Sequence, residues 1–172
     1  TLHLAKLRED SGGFGVPAGD DLIAVSGHTQ AVFIQKTGGS AFYTSDSVTF
    51  TAIASNYVAS VDMDIIAGRM VYVPADGGPV FFSDVNAFQT IPAANFFDSE
   101  DVPDENIGVI NINEDLHVLG AETIRVFRAV GTGSSAFRKI EGAGANVGYI
   151  GGKVRYKETF LFVGKDREQG MG

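Results

Sequence analysis

Cysteine and tryptophan are both absent from the 172 residues of this chain. Without cysteine there is no disulfide, no thiolate nucleophile and no Cys-ligated zinc. That is compatible with assembly in a reducing cytosol. Without tryptophan the Trp-Asp signature of WD40 repeats is missing. Cations are scarce too: 13 Lys and Arg stand against 21 Asp and Glu, a net charge of −8. An acidic balance disfavours broad contact with a phosphate backbone, which needs clustered cations. No stretch approaches the roughly 18–20 apolar residues of a membrane-spanning helix. No helical period is convincing either. Residues 92–106 have room for one helical turn, and Pro92 and Pro103 limit it.

What is present is a repeat. Ala31-Val32-Phe33-Ile34-Gln35, Met70-Val71-Tyr72-Val73-Pro74, Leu116-His117-Val118-Leu119-Gly120 and Phe160-Leu161-Phe162-Val163-Gly164 start 39, 46 and 44 residues apart. A second feature trails the first three starts by 19, 18 and 21 residues: Phe50-Thr51-Ala52-Ile53, Phe88-Gln89-Thr90-Ile91 and Phe137-Arg138-Lys139-Ile140. A period of roughly 40–45 residues built from short strands is the signature of β-propeller blades. The fold class read from this pattern is all-β, a propeller-like array of four-stranded antiparallel blades, three to four of them.

The units fall at about 22–54, 58–91, 107–140 and 146–172, within a single propeller-like domain spanning 1–172 and with an insertion at 92–106. In the first two units a Gly-Gly turn, Gly38-Gly39 or Gly77-Gly78, precedes the third strand. Glycine tolerates the positive φ of tight hairpins. In the second unit Val61, Met63 and Ile65 alternate with Asp62 and Asp64, as on a half-buried strand. Its fourth strand is expected at Phe88–Ile91. Residues 2–19 read as a loop. The chain begins without Met or a signal-peptide pattern and stops inside a repeat, so it reads as a fragment of a larger propeller. Charge is uneven: residues 1–120 hold 4 Lys/Arg and 16 Asp/Glu, whereas residues 121–172 hold 9 and 5.

Several constellations invite a chemical reading. Ser45-Asp46-Ser47-Val48-Thr49-Phe50 and Ser83-Asp84-Val85-Asn86-Ala87-Phe88 loosely resemble the Asp box hairpin of sialidase-like propellers. Their Ser-Asp spacing differs from the box. An Asp or Ser oxygen in such a turn accepts a backbone N–H while the Phe packs between sheets, a structural use. Asp98, Glu100, Asp101, Asp104 and Glu105 crowd into eight positions, an oxygen-rich loop without the spacing or the glycine of an EF-hand. It reads as a solvated loop, with cation or partner binding left open. Gly131-Thr132-Gly133-Ser134-Ser135-Ala136 fits Gly-x-Gly-x-x-Ala, but no helix-forming segment follows, so a nucleotide site is rejected. His3, His28 and His117 share no metal spacing. Asp62 and Asp64 are candidate paired carboxylates for glycoside hydrolysis only if a channel brings acids together. No catalytic, cofactor-binding or metal-ligating residue is assigned, and no cofactor is expected.

Asp115-Leu116-His117-Val118-Leu119-Gly120-Ala121-Glu122-Thr123-Ile124-Arg125-Val126-Phe127, then Phe137-Arg138-Lys139-Ile140-Glu141-Gly142-Ala143, Gly148 and Phe162-Val163-Gly164-Lys165-Asp166, carry a more specific likeness. They resemble the packaged-DNA stabilisation proteins of short-tailed double-stranded DNA phages, also called tail accessory or head-completion factors. The resemblance covers roughly residues 58–172. It implies a non-enzymatic virion protein at the portal-tail channel, helping to retain packaged DNA and supporting tail assembly. It implies phage portal and tail proteins as partners and homo-oligomers in the virion. Assembly would take place in the host bacterial cytoplasm, with no membrane and no sequence-specific nucleic-acid binding. The phage or prophage parent is expected to be longer than this chain. The alternative reading is a glycan-binding or glycan-hydrolysing, sialidase-like propeller module.

Overall fold

Two-residue turns set the topology. Ala67 and Gly68 have φ of 49° and 70°, and Asn113 and Glu114 have φ of 52° and 67°. Positive φ at both turn positions matches the twist of the flanking strands, so each turn closes a hairpin tightly. Consecutive strands therefore pair with one another. A computed structural model describes residues 22–26, 31–35, 40–46, 49–54, 56–98, 104–131 and 133–166.

Among these residues the strands make four antiparallel sheets in chain order. The first holds β1 (Leu22–Ser26), β2 (Ala31–Gln35), β3 (Ala41–Thr44) and β4 (Thr51–Ala52). The second holds β5 (Ser60–Ile66), β6 (Arg69–Pro74), β7 (Val80–Phe82) and β8 (Phe96–Phe97). The third holds β9 (Asn106–Ile112), β10 (Asp115–Gly120), β11 (Ile124–Ala129) and β12 (Phe137–Lys139). The fourth is the pair β13 (Val147–Tyr156) and β14 (Thr159–Asp166). The fold is all-β, and the sheets resemble propeller blades. They stack side by side, with β1 against β5, β5 against β9 and β9 against β13.

The four-times-repeated segment is the second strand of each sheet, and its residues alternate between neighbours. Met70 and Tyr72 enter the core shared with Ala41 and Tyr43 of the first sheet. Val71 and Val73 enter the core shared with Val109, Leu116 and Val118 of the third. On β10, Leu119 turns the other way, toward Phe160 and Phe162 of the fourth sheet, and the His117 ring lies 5.2 Å from that of Phe160. In β6 and β10 the first and third residues of the segment thus face the preceding sheet, and the second and fourth face the next. Both faces of β6 are buried along its whole length. A strand covered on both sides reads as a continuous apolar run, not an alternation.

One expected strand is corrected. The second sheet takes its fourth strand from Phe96–Phe97, within the segment set apart as an insertion, and not from Phe88–Ile91. A bridge between Asp84 and Ala87 folds the chain into a tight turn just before Phe88. Phe88 is then drawn into the core between the first two sheets. Its carbonyl accepts from the Tyr72 hydroxyl at 2.9 Å, and the Ile91 carbonyl accepts from Asn56 Nδ2 at 2.9 Å. Side chains occupy the acceptors that a ladder would have used. In the other two units the strands lie close to expectation, at Thr51–Ala52 and Phe137–Lys139. The expected turn at Gly38-Gly39 and the opening loop lie outside the described residues.

Aromatic rings close the gap between the second and third sheets. Phe82, fully buried, stands 5.0 Å edge-on from Phe137, and Phe97 lies 4.7 Å from Phe127. Phe82→Ala is expected to destabilise the chain by about 3–5 kcal/mol, the cost of an aromatic-sized cavity. Urea unfolding followed by circular dichroism measures it, and a loss well under 1 kcal/mol would contradict this packing.

Candidate functional site

The polar groups of interest lie where the first strands of successive sheets converge. Asp62 and Asp64 are two residues apart on β5 and so leave the same face of the strand. Asp62 Oδ2 accepts from the Val109 N–H at 2.9 Å, and Asp64 Oδ2 accepts from the Asn111 N–H at 2.8 Å. The Asn111 side-chain amide returns a bond to the Ile65 carbonyl at 2.8 Å. Cations arrive from β13. Lys153 Nζ donates to Asp62 Oδ2 and to the Val109 carbonyl, and Arg155 Nη2 lies 3.3 Å from Asp64 Oδ2. Two carboxylates therefore hold three sheets together.

Burial pushes the Asp62 carboxyl above its ordinary range, while the Lys153 ammonium and the Val109 N–H pull it back. A carboxylate so engaged is not one of a free acid pair, and Asp62 and Asp64 both serve the seam between sheets. Such pairs owe much of their worth to specificity, because removing charge from water offsets most of the attraction. Here they fix which residue of β9 sits beside which residue of β5.

A second polar knot uses Asp104, from the acidic stretch. Its carboxylate accepts from the Glu122 N–H at 3.0 Å and from the Thr123 N–H at 2.9 Å. It also accepts from the Thr123 hydroxyl at 2.6 Å and lies 3.8 Å from Arg125 Nη2. Gly120 makes this possible: a Cβ there would collide with Asp104 Oδ2. Asp104 is buried and spent on structure, binding the turn after β10. Glu100 and Asp101 lie outside the described residues, as do His3 and His28.

The Ser-Asp turns behave as structural hairpin locks. Asp46 Oδ1 accepts from the Thr49 N–H at 2.8 Å, and Ser83 Oγ accepts from the Met70 N–H at 2.9 Å. The Gly-x-Gly-x-x-Ala stretch contains a single 3₁₀ turn, Gly133–Ser135, between β11 and β12, so no helix N-terminus is presented to a nucleotide. His117 is half-buried and its Nδ1 lies 3.2 Å from the Asp115 carbonyl. Burial holds its pKa below the ordinary histidine value. No group of three His, Asp or Glu side chains suited to a metal ion occurs among the described residues. An open cleft of 480 Å³ is lined by Asp62, Asp76, Glu105, Tyr149 and Ile150, where the second, third and fourth sheets meet.

What sequence reading missed is the partnership: nothing in the spacing of Asp62 and Asp64 pointed to Lys153 and Arg155, 91 residues downstream in both cases. The shared offset was a findable signal, since it is close to two repeat lengths.

A protein-family model described as "Bacteriophage P22 Gp10, beta-propeller" matches residues 14–172. The chain belongs to this family. The match spans nearly the whole sequence and agrees with the stacked four-stranded sheets. No curated protein matches the chain. As a member of this phage-stabilisation family it is a non-enzymatic structural protein of a phage, and the hydrolytic reading is set aside on that ground.

Asp104→Ala would remove the carboxylate that accepts from the N–H groups of Glu122 and Thr123 and from the Thr123 hydroxyl and that lies beside Arg125. It is expected to cost about 3–5 kcal/mol, as for a broken buried ion pair. Chemical denaturation of the variant checks this, and an unchanged midpoint would show that Asp104 does not hold the turn.

Proposed function

We propose that this chain attaches at the portal-tail channel of a short-tailed phage, where it helps to retain packaged DNA and supports addition of further tail parts. The observation that carries this reading is the family match over residues 14–172. The construction of the chain supports it. Carboxylate seams and doubly buried strands make a stiff array of sheets, suited to bearing load at surfaces. Portal and tail proteins are the proposed partners, within a homo-oligomeric ring at the virion vertex. Assembly in the host cytoplasm is in keeping with a chain that has no cysteine. Recognition would rest on shape and surface contacts, because the net charge of −8 does not suit direct contact with the DNA backbone.

Negative-stain imaging of the chain mixed with purified portal rings tests the proposal. Added density at the mouth of the channel is the expected result. Portal rings that remain bare while the chain stays free would overturn it.

A further inference from the structure

The turn between β6 and β7 carries a reactive pair of residues. Asp76-Gly77 is the one Asp-Gly in the sequence, and no Asn-Gly occurs. The turn itself requires both residues. Gly77 has φ of 73°, and a Cβ there would lie 3.0 Å from the Glu105 Cβ, so a side chain suits neither the backbone nor the space. Asp76 is exposed, and its Oδ1 accepts from the Gly78 N–H at 3.0 Å. That bond folds the carboxyl group forward and closes a ring of atoms that includes the Gly77 nitrogen. The Gly77 N–H bonds the Pro74 carbonyl at 3.2 Å, the long end of the usual range.

The same turn ties two sheets together. The Gly77 carbonyl accepts from the Asn106 N–H at 3.1 Å, and the Gly78 carbonyl accepts from Asn106 Nδ2 at 2.8 Å. Asn106 is buried and opens β9, the first strand of the third sheet. These bonds lie beside the open cleft lined by Asp62, Asp76 and Glu105. A change in the length of the turn would therefore be felt at the start of the third sheet.

We propose that Asp76 is a site of spontaneous conversion to isoaspartate, and that the conversion frees this turn from the third sheet. The Gly77 nitrogen attacks Cγ of the protonated Asp76 carboxyl. The nitrogen gives up its proton and Cγ its hydroxyl, which leave as water, and a five-membered succinimide remains. Water then adds to one of the two ring carbonyls. Addition at Cγ restores aspartate. Addition at the backbone carbonyl carbon leaves the chain running through Cβ and Cγ, which is isoaspartate. One water is released and one is taken up, so no other reactant is needed. The main chain becomes one carbon longer, and the side chain that accepted from Gly78 is gone. Glycine favours the attack because no side chain crowds its nitrogen. Asp46 makes the contrast. It precedes Ser47, and its Oδ1 is held by the Thr44 hydroxyl at 3.0 Å and the Thr49 N–H at 2.8 Å. This inference does not depend on where in a virion the chain acts.

Ageing the 172-residue chain in warm neutral buffer tests it. Isoaspartate is counted with an isoaspartate-specific methyltransferase and located by electron-transfer fragmentation of the digested chain. It is expected to build up at Asp76, and faster there than at Asp46. Asp76→Glu is expected to lose the signal, because its ring would need six members. Asp76→Asn is expected to form isoaspartate faster than the wild type, because a neutral amide is attacked more readily than a carboxylate. In the aged wild type the Asn106 amide is expected to exchange hydrogen faster than in fresh protein, with the amides of β6 unchanged. An aged chain without isoaspartate at Asp76, while an unfolded peptide of residues 70–82 forms it, would show that the turn protects the pair and would overturn the proposal. Isoaspartate at Asp76 with unchanged exchange at Asn106 would overturn the release of the third sheet.

Discussion

Everything in this structure depends on second strands that serve two cores at once, as β6 does, buried on both faces along its whole length. Four residues, Met70-Val71-Tyr72-Val73 in the second sheet, divide evenly between the cores on either side. A sheet in this position has no stable conformation of its own, because half of its apolar surface belongs to a neighbour. The repeat is therefore a rule of stacking as well as a repeat of strands. It explains why His117 is tolerated in an otherwise apolar segment. It sits at a next-facing position and meets an aromatic edge, with its ring nitrogen near the Asp115 carbonyl.

Apolar stacking alone does not select a register, since neighbouring rows of Val, Ile and Leu are nearly interchangeable. The carboxylates of β5 supply that selection. Asp62 and Asp64 reach two successive outward N–H groups of β9, and Lys153 and Arg155 lock them from β13. A slip by one residue would put each carboxylate opposite a carbonyl or an apolar side chain, at the full cost of an unpaired buried charge. The exposed cross-strand pair Asp115–Arg128, at 2.7 Å, contributes far less, because water screens it.

The strands were legible because double burial writes them as uninterrupted apolar runs and because Gly77-Gly78 reads as a turn before the third strand of the second unit. Phe88–Ile91 misled for a physical reason. Its Phe and Ile match the fourth-strand residues of other units, but they were selected for the core between sheets and not for a ladder. The role of Asp104 was hidden for a similar reason. Within a run of acids it looks like a solvated surface, and only the fold brings the N–H groups of Glu122 and Thr123 to it. Pairings 47 and 91 residues apart, as at Asp62, lie beyond any local pattern. The family likeness was visible in the third and fourth units, in Asp115–Phe127, Phe137–Ala143 and Phe162–Asp166.

Amide hydrogen exchange at Val109 and Asn111 tests the central claim most directly. These N–H groups bond the carboxylates of the preceding sheet in place of a strand of their own. If the seam sets the stacking, both exchange as slowly as the amides of β6, through opening of the second and third sheets together. Exchange of Val109 and Asn111 at the rate of surface loops, with β6 still protected, would show that the sheets are held by apolar contact alone.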